Sequence, residues 1–172
     1  MTDITKRAFY PHPPERVWAA LTDADALAQW LMPNNFVPEV GRAFEFRVDS
    51  APFYSGITEC RVLEIDAPRR MVWSWKVVRP GGRAPAETEI CWDLAPHEGG
   101  TMLTLTQKRT DSMPWMFRMM MSMGWGTMLK RWIPVVLNQF TFESGLLKYH
   151  RMAKPPNRYH HKSVTVPANF AR

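Results

Sequence analysis

The sequence predicts an α+β domain in which a curved antiparallel sheet wraps around a long C-terminal helix. Three observations carry this prediction: an opening strand followed by two short helices, a central run of alternating segments, and a return to helical spacing in the last third. The 172 residues, 45% of them hydrophobic, suit one domain with one buried core.

The first third predicts a short strand and a pair of helices. Residues 4–10 read as a strand, and the prolines that follow end it. Pro14 suits the first turn of a helix beginning at Glu15. Apolar residues then recur at three- and four-residue spacings as far as Leu31, and Thr22-Asp23 is predicted to separate two helices.

The middle of the chain predicts five consecutive strands. Apolar and polar side chains alternate from Val40 onward, and short Gly- and Pro-containing turns separate the alternating segments. The predicted strands are 40–48, 57–65, 71–78, 88–94 and 101–107. Short turns between consecutive strands favour an antiparallel meander.

The last third returns to helical spacing. One predicted stripe contains Met121, Trp125, Leu129, Trp132, Val136 and Phe140. Pro134 cannot donate to the carbonyl of Lys130 and is predicted to kink this helix. Residues 1–152 are predicted to form the domain, and residues 153–172 a basic tail that is extended or loosely ordered.

Charge and composition exclude several functions. The net charge of +6 comes from Lys and Arg residues scattered along the chain, without a nucleic-acid-binding signature, so no specific nucleic-acid partner is predicted. The Met/Trp-rich segment 113–137 contains Arg118, Lys130 and Arg131, so no transmembrane segment is predicted. Residues 1–15 contain no apolar secretion signal, and a cytoplasmic location is expected.

No metal or cofactor is predicted. Cys60 and Cys91 lie in predicted strands without metal or redox spacing and are expected to be buried free thiols. His150, His160 and His161 have no acidic or thiol ligands at a regular spacing. The chain also lacks a phosphate-binding glycine loop and a serine-hydrolase elbow.

Five segments in order resemble one known family. They are VWAALTDADALAQWLMP at 17–33, VGRAFEFR at 40–47, GITECRVLEIDAPRRMVWSW at 56–75, GGTMLTLTQ at 99–107 and GWGTML at 124–129. The chain is thereby similar to the activators of heat-shock-protein-90 ATPase homologues, within the START-like (SRPBCC, birch-pollen-allergen-like) superfamily. The resemblance implies a helix-grip fold whose cavity, between sheet and C-terminal helix, binds small apolar or amphipathic molecules.

The strand alternation predicts which side chains face that cavity. The predicted ligand-binding residues are Phe44, Phe46, Trp73, Trp75, Trp92, Leu105 and Gln107 from the strands, with Met121, Trp125 and Leu129 from the helix. The alternative is that the same residues pack together as core. The Gln107 amide is expected to bind either a ligand carbonyl or hydroxyl or a neighbouring backbone group.

Catalysis by the same cavity is the alternative function. Its candidate residues are Glu59, Gln107 and Tyr54. Glu59 shares the strand parity of Leu63 and Ile65 and, unless a bulge intervenes, could point inward at a raised pKa, but an ion pair at the cavity rim is the more usual arrangement. Glu89 and Asp93 are expected to face solvent, and His97 to lie in a turn. Where family members carry His or Glu after the sixth strand, this chain has Gln107 followed by Lys108 and Arg109, which weakens the analogy.

The leading functional hypothesis is binding of a small hydrophobic ligand without catalysis. The alternative enzyme would be a cyclase, isomerase or hydrolase of an apolar substrate, and a chaperone-cofactor role rests on the family resemblance alone. Exposed apolar area on the Met/Trp-rich helix would favour a homodimer.

Overall fold

Six antiparallel strands form one sheet, and the helices cover one of its faces. The computed structural model describes residues 3–52, 54–81 and 87–156. The elements are β1 (Ile4–Tyr10), α1 (Pro14–Thr22), α2 (Ala24–Trp30), β2 (Ala43–Arg47), β3 (Ile57–Asp66), β4 (Arg70–Val77), β5 (Glu87–His97), β6 (Gly100–Lys108), α3 (Trp115–Thr127), α4 (Ile133–Leu137), β7 (Phe140–Glu143) and β8 (Leu146–Tyr149). The strand order β1-β6-β5-β4-β3-β2 confirms the predicted α+β meander.

The break between the first two helices falls where the sequence places it. The carboxylate of Asp23 accepts a hydrogen bond from the backbone N–H of Ala26 at 2.9 Å, which caps α2. At the other end of α2, the indole N–H of Trp30 donates to the carbonyl of Ala20 at 2.8 Å. The two short helices are therefore tied together and present Trp30 to the core.

Strand alternation separates the two faces of the sheet cleanly. In β6 the buried residues Leu103, Leu105 and Gln107 alternate with half-buried ones. The β5–β6 connection is a two-residue turn with positive φ at Glu98 (43°) and Gly99 (79°), the conformation that matches the twist of a hairpin. The turn fixes the β5–β6 register and so the face on which each side chain lies.

The C-terminal helix is interrupted just before Pro134, the residue at which the sequence predicts a kink. Between α3 and α4 the chain forms one π-helical turn, Met128–Trp132, and Pro134 lies in the first turn of α4. The hydroxyl of Tyr10 donates to the carbonyl of Leu129 at 2.7 Å. This buried bond joins the π-helical turn to the first strand.

The prediction that Phe140 lies on the helical stripe is wrong. The helix ends at Leu137, and Phe140 begins a hairpin of β7 and β8. Ser144 and Gly145 have φ values of 53° and 81°, which closes a two-residue turn. The predicted tail beyond residue 156, with His160 and His161, lies outside the described residues, whereas the ring of His150 contacts the Thr141 hydroxyl at 2.6 Å.

Candidate ligand-binding site

The side chains predicted to line the cavity lie together in the interior, between the sheet and α3. Nine of them are at most 3% exposed: Phe44, Phe46, Trp73, Trp75, Trp92, Leu105, Gln107, Trp125 and Leu129. The tenth, Met121, is partly buried and packs against the same core. The structure therefore brings the whole set together, and their contact with a ligand stays a prediction.

Tryptophan rings form the centre of this interior. The ring centroid of Trp92 lies 5.4 Å from that of Trp73 and 5.8 Å from that of Trp125. Trp125 in turn lies 5.6 Å from Trp75. These contacts are edge-to-face, the arrangement that favours aromatic pairs. Trp125 is the only fully buried residue of α3, and its ring packs on the indoles of the sheet.

A chain of three buried hydrogen bonds runs beneath Trp125. Its indole N–H donates to Oε1 of Gln107 at 2.9 Å. Nε2 of Gln107 donates to the hydroxyl of Thr88 at 3.0 Å, and that hydroxyl donates to the carbonyl of Trp75 at 3.2 Å. Gln107 thus bonds to side chains rather than to the neighbouring backbone that was one of its expected partners.

Three other indole N–H groups in the same interior have no acceptor. Nε1 of Trp73, Trp75 and Trp92 is buried without a hydrogen-bond partner. A buried donor without an acceptor costs about 1–3 kcal/mol, so unsatisfied groups of this kind are rare. The N–H groups of Trp30 and Trp125 are both satisfied, and the three unsatisfied donors are concentrated on β4 and β5.

Of the two orientations expected for Glu59, the inward one is wrong. Its side chain is exposed on the outer face, where Nζ of Lys76 lies 2.8 Å from its carboxylate. A bulge between Val62 and Glu64 reverses the alternation, so parity counted back from Ile65 assigns Glu59 to the wrong face. The ion pair of the alternative expectation is present, although it lies outside the aromatic interior.

The other catalytic candidates are not brought together with Glu59. The hydroxyl of Tyr54 is 2.8 Å from that of Thr58 at the start of β3, whereas Gln107 lies on β6, with β4 and β5 between these strands. Glu89 pairs with Arg109 and Asp93 with Arg70 on the outer face, as expected. His97 occupies the predicted turn region and is 46% exposed.

An open groove of about 360 Å³ lies on the outer face of the sheet. Its lining comprises Asn35, Ala43, Phe44, Glu45, Glu59, Cys60, Arg61, Ser74, Lys76 and Glu87. Phe44 is the only predicted ligand-binding residue among them, and the charged members Lys76 and Glu59 bind each other. The groove is thus separate from the aromatic interior, which the structure shows in a closed, packed state.

Burial sets the protonation of the titratable groups that border the interior. It raises the pKa of the Cys60 thiol well above its usual range, with a smaller contribution from Glu59, and also raises the pKa of the Tyr10 hydroxyl. Both groups are therefore neutral at physiological pH. Within residues 3–52, 54–81 and 87–156, no group of three or more His, Cys, Asp or Glu side chains is arranged to hold a metal ion.

Two buried residues of this site were not identified from the sequence. Thr88 shares the strand parity of Ile90 and Trp92, so the alternation could have placed it in the interior. Trp30, whose ring lies 5.8 Å from Trp92, comes from the end of α2, and only packing between helix and sheet brings it there.

No helix of the described part of the chain is long and apolar enough to cross a membrane.

The chain matches a known protein family and its fold matches solved structures. The family model for activator of Hsp90 ATPase homolog 1-like proteins matches residues 11–137. The chain therefore belongs to this family, and the resemblance seen in the sequence is confirmed. A comparison with curated proteins gives no significant match.

Solved structures share the helix-grip architecture. Protein MLL2253 from Mesorhizobium loti is 23% identical with a TM-score of 0.72, covering 82% of this chain and 100% of that one. Protein CV1439 from Chromobacterium violaceum is 27% identical with a TM-score of 0.59, covering 78% and 96%. The solution structure of the Aha1 dimer from Colwellia psychrerythraea is 20% identical with a TM-score of 0.56, covering 75% and 91%.

Proposed function

We propose that the protein binds a small amphipathic molecule, an apolar body that carries hydrogen-bond acceptor oxygens, in the interior between the sheet and α3. The unsatisfied indole N–H groups of Trp73, Trp75 and Trp92 carry this proposal. A ligand oxygen would accept from one or more of them and remove the cost of burying an unpaired donor. The aromatic rings around them would contact the apolar body of the ligand.

Entry of the ligand requires α3 to move away from the sheet. Trp125 is the only fully buried side chain of α3, and a π-helical turn follows the helix at Met128. A helix held by few buried contacts opens at a lower free-energy cost than the rest of the core. The closed packing of the indoles would then be the ligand-free state, and the ligand would separate Trp125 from Trp75 and Trp92.

Binding is favoured over catalysis because the acid and base candidates do not converge on this interior. Glu59 lies on the outer face, and the polar atoms of Gln107 are occupied by Trp125 and Thr88. The remaining polar groups of the aromatic cluster, the indole N–H groups, donate hydrogen bonds but are not acids at physiological pH. They suit recognition of an oxygen atom rather than proton transfer.

Native mass spectrometry of the protein purified from cells tests this proposal. We expect a non-covalent small molecule, bound one to one, whose accurate mass gives an oxygen-containing and carbon-rich formula. The Trp73→Phe, Trp75→Phe, Trp92→Phe triple variant should lose it while retaining the fold. Retention of the molecule by the folded triple variant, or a bound molecule without oxygen, would contradict the proposal.

A further inference from the structure

Helix α3 is apolar around most of its circumference, and half of that surface is uncovered. Arg118 is the only charged residue between Trp115 and Thr127. One side of the helix packs on the core through Trp125. The other side carries exposed Trp115, Met116, Met119, Met120 and Met123, a set called here the Met face, with side chains between 51% and 72% exposed. Their spacing places all five on one side of the helix.

The Met face is a concentrated feature rather than scattered exposure. The described part of the chain contains twelve exposed large hydrophobic residues, and five of them lie on this one helix. Single exposed apolar residues are ordinary, whereas a contiguous apolar patch marks a surface that contacts a membrane, a ligand or another protein. A helix that is apolar all round is normally covered on all sides.

The charged residues of the segment that contains the Met face have one sign. No Asp or Glu occurs between Ser112 and Phe142, while Arg118, Lys130 and Arg131 all lie in this stretch. Lys130 and Arg131 are exposed at the π-helical turn that directly follows α3. The Met face is therefore followed by two exposed cations, and the segment that contains them has no carboxylate to pair with them.

A further cation approaches the helix from the segment that follows β4. The guanidinium of Arg79 lies 5.9 Å from the centre of the Phe117 ring, on α3. The net charge of +6 for the whole chain acts in the same direction, because it attracts the protein toward anionic surfaces.

We propose that the Met face docks onto the anionic surface of a lipid bilayer. Trp115 and the Met side chains would enter the boundary between headgroups and acyl chains, where Trp is favoured, and Lys130 and Arg131 would bind headgroup phosphates. The exposed side of a helix is convex, which suits a deformable lipid interface. This inference does not depend on the interior ligand site.

A second copy of this chain fits the Met face less well. A two-fold contact through the Met face would bring the exposed Lys130 and Arg131 of each copy toward one interface, without a carboxylate from the segment 112–142 to pair with them. Like charges brought together at an interface oppose association. Charge complementarity thus favours an anionic lipid surface over self-association.

Vesicle co-sedimentation of the full chain tests the membrane proposal. We expect binding to phosphatidylcholine vesicles that contain about 30 mol% phosphatidylglycerol and little binding to phosphatidylcholine alone, with the difference suppressed near 0.5 M salt (about 4 Å of screening length). Met119→Ser with Met123→Ser should weaken binding about tenfold or more by removing inserted apolar surface. Lys130→Glu with Arg131→Glu should weaken it about tenfold or more by charge reversal.

Matched variants control for general effects of polarity and charge. Phe142→Ser with Leu146→Ser removes two side chains that are 63% and 68% exposed on the β7–β8 hairpin, and Arg42→Glu with Arg69→Glu makes the same charge change elsewhere. Both control variants should bind vesicles within about twofold of the parent. All variants should stay folded, because the replaced side chains are exposed. The control variants lose the exposed Arg69–Asp66 ion pair and the Arg16–Phe142 contact, which contribute little to stability.

Three results would overturn the proposal. The first is absence of parental binding to the anionic vesicles, and the second is equal binding by the Met119→Ser, Met123→Ser variant. The third is a concentration-dependent dimer in analytical ultracentrifugation that the same double variant dissociates, since the Met face would then be covered by a second copy of this chain.

Discussion

The indole N–H of Trp125 donates to Oε1 of Gln107 at 2.9 Å, and both side chains are buried. This bond connects the helix above the aromatic interior to the β6 strand below it. It also distinguishes Trp125 from Trp73, Trp75 and Trp92, whose N–H groups have no acceptor. One amide thus satisfies the helical indole, whereas the three sheet indoles have no acceptor.

Gln107→Met should destabilise the protein by about 2–4 kcal/mol, because it removes the acceptor of Trp125 and the donor to Thr88 while an unbranched apolar side chain of similar length fills the position. Urea unfolding measures the effect. Trp125→Phe removes the other end of the bond, and the double variant should lose less than the sum of the two single losses. Strict additivity would show that the bond contributes nothing to stability.

Trp92→Phe should destabilise the protein less than Trp30→Phe does. Both indoles are fully buried and contact each other, and each substitution removes similar volume. Only Trp30 donates to a carbonyl, that of Ala20, so its loss leaves a buried acceptor unpaired and costs about 1–2 kcal/mol more. An equal or larger loss for Trp92→Phe in urea unfolding would mean that its N–H is satisfied in solution.

Stability should fall at alkaline pH through Tyr10. Burial raises the pKa of its hydroxyl above the ordinary value of 10.0, so the folded state favours the protonated form. The stability that Tyr10 gains from this raised pKa is fully present below the pKa of the unfolded state. It is lost as the pH rises above that value toward the pKa of the folded state. The free energy of unfolding should be measured near pH 8 and near pH 10.5. Its decrease between these two pH values should be smaller in Tyr10→Phe than in the parent, by about 0.5 kcal/mol or more.

Tyr149 is the control for this alkaline loss. Burial is the largest of the causes that raise the pKa of the Tyr149 hydroxyl, so ionisation of Tyr149 also lowers stability at alkaline pH. Tyr149→Phe should therefore remove a part of the alkaline loss of stability that is separate from the part due to Tyr10. Parallel pH profiles for the parent and Tyr10→Phe would contradict the buried, protonated state of Tyr10. Tyr10→Phe should also be less stable at pH 8, because the carbonyl of Leu129 loses its donor.

Both thiols should be unreactive in the folded protein. Burial raises the pKa of Cys60 and Cys91, which lowers the fraction of reactive thiolate, and it also blocks access of a reagent. Reaction with a disulfide reagent at pH 7.5 should be about a hundredfold or more slower than that of a free thiol, and urea should restore it. Rapid native labelling would show that the interior opens far more easily than the closed structure indicates.

The sequence predicts the sheet well, because alternation in a half-buried strand is a local signal. It places Trp73, Trp75 and Trp92 on the inner face without any knowledge of the partner strands. The same signal fails at Glu59, because a bulge after Val62 changes the parity and nothing in the apolar pattern marks it. The β7–β8 hairpin was missed because Phe140 continues the helical spacing, although Ser144-Gly145 supplies a turn signal.

The candidate site depends on relationships that sequence patterns do not encode. The spacing of Trp residues shows that they are buried, but which indole N–H finds an acceptor depends on how helix and sheet pack. The indole N–H of Trp125 reaches Gln107 of β6 only because α3 packs on the sheet. The indole N–H of Trp30 reaches the carbonyl of Ala20 because the turn between α1 and α2 brings the two helices together. The exposure of the Met face likewise depends on tertiary packing, because burial of Trp125 decides which side of α3 faces the core.

The central claim is that the sheet indoles recognise a ligand oxygen, and isothermal titration with two probes of the same shape tests it most directly. The probes are acetylnaphthalene and isopropenylnaphthalene, which differ in having a carbonyl oxygen or a methylene group at one position. The account predicts about tenfold tighter binding of the ketone, a preference that Trp92→Phe lowers and Trp30→Phe leaves unchanged. Equal affinities for the two probes, or a preference that survives in the folded Trp73→Phe, Trp75→Phe, Trp92→Phe variant, would contradict it.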